Sequence, residues 1–170
     1  MKIGLSTLAT AAFCLAPLMS VAETYELTVW SDLEAPTVVD AHDEGYSVGD
    51  LLLRNGPLLD GPNGNQIGEY FSQATVVYHD DEEGRSVRNY VVEMLLEDGS
   101  IYAMDLLEFD HNVPLREQRI HHGAVVGGTG AYAGIRGSYV LRGVQQREGS
   151  STEYPDVVVE KVFTYTLPDG

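Results

Sequence analysis

Residues 124–139 read AVVGGTGAYAGIRGSY, and this stretch decides between two folds. Val125 and Val126 lead into a turn of Gly127, Gly128, Thr129 and Gly130; Tyr132, Gly134 and Gly137 follow at short spacing. A glycine-rich turn cradles phosphate when a strand precedes it, a helix follows, and an acidic residue lies about 20 positions on. Here Gly137 is followed by SYVLRGVQQ, in which apolar and polar residues alternate as in a strand. The helix a nucleotide loop needs is missing. A tight corner between two strands accounts for the same residues, because only glycine takes positive φ without steric cost.

The alternation continues outward in both directions. Turn signals recur at Asn55-Gly56-Pro57, Asp60-Gly61, Glu83-Gly84, Asp98-Gly99 and Glu148-Gly149, with β-branched and aromatic runs between them. These runs predict strands over 24–31, 48–54, 68–79, 86–97, 100–109, 123–126, 137–147 and 156–167. About eight strands of this kind close a barrel with room for one small ligand. The expected fold is therefore all-β: an eight-stranded antiparallel β-barrel with a central apolar cavity. Glu97-Asp98-Gly99-Ser100 predicts a two-residue hairpin turn. In the 68–79 strand one face carries Tyr70, Ser72, Ala74, Val76 and Tyr78, a mixture of small residues and tyrosines that suits a cavity wall. Residues 32–44 form a polar connector containing Pro36, expected as a flap over one mouth, and Trp30 is expected as a plug at one barrel end.

The chain begins like an exported one. Lys2 gives a positive start, residues 3–18 are mostly apolar, and Ser20-Val21-Ala22 is a small-x-small cleavage site. Residues 1–22 are thus expected as a removed signal peptide and 23–170 as one domain, periplasmic or secreted. The apolar run is too short for an integral membrane anchor. Cys14, the sole cysteine, lies in this segment behind a Phe13 too large for lipoprotein processing. The mature domain then has no disulfide and depends on an ordinary core. The formal charge of −16 argues against nucleic acid and anionic membranes as partners.

Four stretches, in chain order, resemble the allene oxide cyclase and dirigent superfamily of small β-barrels. They are Tyr25-Glu26-Leu27, Val48-Gly49-Asp50-Leu51-Leu52, Leu58-Leu59-Asp60-Gly61 with Ile67-Gly68, and Gly127-Gly128-Thr129-Gly130 with Tyr132 and Gly137. The resemblance implies a barrel whose cavity folds a reactive apolar small molecule for cyclisation or isomerisation, or guides coupling, without metal or organic cofactor. It also admits a homo-oligomer, dimer or trimer, formed through an outer barrel face.

Residue by residue, the resemblance implies Glu26 as the interior glutamate of the cyclases and Asn55 as an offset match to a second catalytic position. Thr28 stands where cyclases hold water with an asparagine, and Ala74 where they carry a cavity cysteine. Asp105 and Arg136 lie where dirigent proteins place acidic and basic pocket groups. Tyr70, Tyr78, Tyr90 and Tyr102 are candidate pocket donors; packing alone would also account for them. Glu26 could equally be a solvated strand glutamate. His121 and His122 are adjacent on a strand and point to opposite faces, and the acidic run 80–83 lacks a calcium loop's spacing, so no metal site is expected. No serine-nucleophile motif occurs. Two other functions fit the same sequence: a non-catalytic binding barrel, and a structural or partner-binding envelope protein.

Overall fold

The computed structural model describes residues 23–32, 35–42, 47–113, 117–146 and 157–168. The expectations for the signal segment, for Cys14 and for the Glu148-Gly149 turn concern residues outside these. The described residues form nine strands: β1 (Thr24–Asp32), β2 (Thr37–Val39), β3 (Leu51–Leu59), β4 (Gln66–Asp80), β5 (Arg85–Leu96), β6 (Gly99–Asp110), β7 (His121–Gly128), β8 (Arg136–Gln146) and β9 (Val157–Thr166). They pair antiparallel in the order β1-β9-β8-β7-β6-β5-β4-β3, and β1 pairs with β3 to close an eight-stranded barrel. β2 is an extra strand, formed within the predicted connector, that lies along the first residues of β3.

Closure is uneven. β1 and β9 pair over the whole length of β1, whereas the β1–β3 seam consists of Trp30↔Leu59 and Ser31↔Leu58 alone. β3 also runs further than predicted, through Asn55-Gly56-Pro57. Residues 54–57 pair only with β4, so β3 is locally an edge, where a proline's missing N–H is tolerated.

Alternation sets the inside. Leu27, Val29 and Ser31 face inward from β1; Tyr70, Ser72, Ala74 and Val76 from β4; Tyr90, Val92 and Met94 from β5; Ile101, Ala103 and Leu107 from β6. Tyr139 and Phe163 complete the wall. Each large apolar side chain removed from water contributes about 1.5–3 kcal/mol, so this ring supplies the core that replaces disulfides. Two expectations fail at this level. The β4–β5 pairing skips Val77, a bulge that turns Tyr78 outward and brings His79 level with buried Ser86. Trp30 lies on the outer parity of β1 and does not plug the barrel.

The glycine stretch is a corner, as its missing helix implies. A 3-10 turn, Gly130–Tyr132, joins β7 to β8, and Ile135 beyond it is buried in the core. The corner locks onto the β5–β6 hairpin: Thr129 N–H donates to Ser100 O at 2.9 Å, Ser100 N–H to Thr129 Oγ1 at 3.0 Å, and Ala131 N–H to Asp98 O at 2.8 Å. Gly130 sits at φ +58°, and a Cβ there would lie 2.1 Å from Asp98 O, so glycine is required twice over. The hairpin turn itself falls at Glu97-Asp98, between the pair Leu96↔Gly99, one residue earlier than predicted. Ile135 joins the hydrophobic core, against which the partly buried Leu27, Ile67, Leu96, Tyr132 and Leu167 also pack.

Candidate functional site

The remaining interior is not uniformly apolar, and its polar groups fall into three sets. The first surrounds Lys161. β9 reads VVVEKVFTYT, and pairing of Lys161 with Val29 and Leu141 places the side chain on the inward parity. The residue is 2 % exposed. Its Nζ donates to Ser31 Oγ at 2.6 Å and lies 4.9 Å from the centroid of the Tyr70 ring. Burial brings its pKa down to about 7. The Tyr70 hydroxyl donates to Asp32 O at 3.0 Å, and its ring crosses Gly56, where a Cβ would come within 3.1 Å. The first of these contacts ties β4 to β1 across β3, beside the short β1–β3 seam.

The second set is Tyr90, Ser72, Tyr139 and Asp105. Tyr90 pairs with Asp105 across β5 and β6, so both point inward. The Tyr90 hydroxyl interacts with Ser72, and its pKa rises chiefly through burial. Tyr139 stacks on Phe163 with centroids 5.4 Å apart and lies against Gly123, where a Cβ would meet its Cε1 at 2.1 Å. Its pKa is raised by burial, then by Tyr90 and Asp105. Asp105 also has a raised pKa, from burial, opposed by the Leu106 N–H that donates to its Oδ1 at 2.7 Å. Asp105 Oδ2 and the Tyr139 hydroxyl are buried and have no hydrogen-bond partner among the described residues.

The third set lies where β4 ends and β5 begins. Arg88 stacks over Phe109 at 4.3 Å, and His121 packs on the same ring at 5.6 Å. His111 Nε2 lies 3.0 Å from Ser86 Oγ. Burial lowers the pKa of both histidines, which favours their neutral forms. His121 Nε2 is buried and likewise lacks a hydrogen-bond partner among the described residues. His122 is exposed on the opposite face, as adjacency on a strand requires. Among the described residues no cluster of metal-binding side chains forms.

The inferred site residues divide accordingly. Tyr70, Ala74 and Asp105 face the interior, as does Tyr90. Glu26 does not: it is exposed, on the opposite parity from Leu27 and Val29, so the expected interior glutamate is corrected. Thr28 shares that outer parity, and Asn55 is exposed because the one-residue offset puts it on the outer face of β3. Tyr78 is turned out by the bulge and donates to Asp80 Oδ2 at 3.2 Å. Tyr102 donates to Glu93 Oε1 at 2.8 Å across the outer face of β5 and β6. Arg136 is exposed on β8, so no Asp105–Arg136 pair spans a pocket. Lys161 is the residue that sequence analysis missed. Its signal was an isolated lysine in an apolar strand, in a chain whose only other lysine is Lys2.

The described strands make a closed eight-stranded antiparallel barrel with one extra strand, and this places the chain among the small all-β barrels. The family profile described as "Allene oxide cyclase barrel like domain" matches residues 27–153, and the chain belongs to this family. A search of curated proteins finds no match. Solved structures share the fold at low identity. A pyocyanin demethylase superposes with a TM-score of 0.60 and 20 % identity, over 84 % of this chain and 100 % of that one. A pterocarpan synthase dirigent protein gives 0.61 and 18 %, over 87 % and 97 %. The Diels Alderase AbmU from Streptomyces koyangensis gives 0.56 and 14 %, over 89 % and 72 %.

Proposed function

We propose that this protein is an exported barrel that takes an apolar small molecule into its interior and steers its cyclisation or isomerisation. One observation carries the proposal: Asp105 Oδ2, Tyr139 OH and His121 Nε2 are buried on the inner wall without hydrogen-bond partners among the described residues. Each such group costs about 1–3 kcal/mol of desolvation, which an apolar replacement would avoid. Groups kept at that cost are explained by a ligand that completes them. The similarity in fold to a demethylase, a dirigent protein and a cycloaddition enzyme supports the same reading.

In this reading the apolar wall folds the substrate into a near-attack shape, which can supply about 7–11 kcal/mol of a barrier. Tyr139 and Tyr90 donate hydrogen bonds to a substrate oxygen. Asp105, its pKa raised by burial, exchanges a proton with that oxygen. Lys161 stands as a further donor. Dirigent-like guidance of coupling and carriage without turnover use the same interior. Turnover of a cyclisable substrate separates catalysis from carriage.

Self-association belongs to the same proposal, with a second copy of this chain as occupant of the outer face of β4 to β7. Phe71, Val91, Met104, Leu106 and Val126 are exposed large hydrophobic residues on these four neighbouring strands, and exposed apolar patches mark association sites. Native mass spectrometry of the full-length gene product recovered from the exported fraction tests all of this. The expected spectrum shows a chain beginning at Glu23, more than one copy, and a retained small molecule released on unfolding. Tyr139→Phe and Asp105→Asn should each reduce retention about tenfold or more, as expected for one lost buried hydrogen bond. An empty monomer whose affinity for apolar molecules is unchanged by either substitution would overturn the proposal.

A further inference from the structure

We propose that Lys161 is a carbonyl-reactive amine, forming an imine with an aldehyde or ketone carried inside the barrel. The proposal rests on the reading that the interior accepts a small molecule. It assigns that molecule a chemical class.

Geometry comes first. Lys161 is fully enclosed by the barrel, and its one described hydrogen bond goes to an uncharged hydroxyl, Ser31 Oγ, at 2.6 Å. The neighbouring acid, Glu160, is on the outer parity of β9 and is bound by Arg142, so it does not neutralise the amine. Among the described residues no carboxylate forms an ion pair with Lys161; a buried ammonium so placed is costly, and the inexpensive response is to lose the proton. The Tyr70 ring face favours the charged form, but by about 0.5–2 kcal/mol, less than the cost of burial. A neutral, desolvated amine is the reactive form toward carbonyl carbon.

Position comes second. Ser31 belongs to the seam where β1 and β3 share two residue pairs, the least-bonded line of the closed barrel. Ser31 lies on that line, and its hydrogen bond holds the Lys161 amine beside it. Composition comes third. The chain has two lysines in 170 residues, with arginine serving elsewhere, yet one of the two lies inside the barrel. A positive charge alone could be met by either residue, whereas arginine stays charged and does not form an imine.

The step balances without an oxidant or reductant. The Nζ lone pair adds to the carbonyl carbon as the C=O π pair moves to oxygen. Nitrogen sheds one proton and the oxygen takes one, giving a carbinolamine, with Ser31 Oγ placed to relay the proton. Loss of that oxygen as water, with the second nitrogen proton, closes C=N. The imine then acts as an electron sink for bond making at the neighbouring carbon, and water returns the amine.

Hexanal with sodium cyanoborohydride tests this by trapping the imine as a stable alkylamine, located by peptide mapping. The folded protein should acquire one hexyl group on Lys161, about tenfold or more faster than the urea-unfolded chain at neutral pH, because each unit of pKa is tenfold in neutral amine. Ser31→Ala should slow the labelling several-fold, and Lys161→Met should remove it. If Lys161→Met does not fold, the map of the unaltered protein decides alone. A naphthalene sulfonate dye, which carries no carbonyl, monitors entry separately. Dye binding inside the barrel without faster labelling of Lys161 overturns the imine and leaves the binding proposal standing. Failure of both dye and aldehyde to enter overturns both.

Discussion

A lysine inside a barrel changes how stability depends on pH. The Lys161 pKa is about 7 in the folded chain against 10.5 when solvated, so between those values the unfolded chain holds a proton that the folded chain lacks. Stability therefore rises with pH across that window, and below about pH 7 the whole penalty of charging the buried amine remains. Lys161→Met, which keeps length and removes the charge, should raise the free energy of unfolding by about 2–3 kcal/mol more at pH 6 than at pH 9. Urea titrations at the two pH values check this; equal gains would mean that the folded chain keeps the amine protonated at both, so that burial has not lowered its pKa. The residue escaped sequence analysis because lysine is the side chain least expected inside. Glu26 was misplaced for a related reason. On a half-buried strand, one residue of phase separates an interior group from a solvated one, and Tyr25-Glu26-Leu27 does not show its phase.

At the scale of elements, the strands were legible because period-two alternation and turn residues are local signals. The departures came where pairing overrode local chemistry. Asn55-Gly56-Pro57 has the composition of a turn, but β4 pairs along it and holds it as strand. On β4 the inward face was legible through Val76, and the bulge at Val77, a property of the pairing with β5, reversed the facing from Tyr78 onward. The strands also position the inner wall through absent side chains. Gly123 on β7 leaves the space in which Tyr139 of β8 lies flat against Phe163. Gly123→Ala should displace the Tyr139 ring and cost about 1–3 kcal/mol or more, since backbone blocks the other direction as well. Thermal unfolding with near-ultraviolet circular dichroism tests it. An unchanged tyrosine signal and melting temperature would show that the ring does not depend on that space.

For the molecule as a whole, acid should act in two stages. His121 and His111 have pKa values lowered by burial, so the unfolded chain takes up protons first and stability falls as pH drops below about 6.5. Asp50 follows at lower pH. Its carboxylate accepts Ala41 N–H at 3.1 Å and Ser47 N–H at 2.7 Å, which hold its pKa below 3.8. The stability it contributes is present above that value and is lost as pH falls through the lower folded one. His121→Gln should flatten the first decline in the urea midpoint and Asp50→Asn the second; a single decline indifferent to both would contradict the assignment. The scarcity of lysine has one more consequence. Beyond residue 2, the only side-chain primary amine is walled in, so bulky acylating reagents meet no lysine on the described surface. With such a reagent, too large to enter, the slow acylation of one residue becomes a clock for the breathing of the whole barrel, counting its openings as amide hydrogen exchange does.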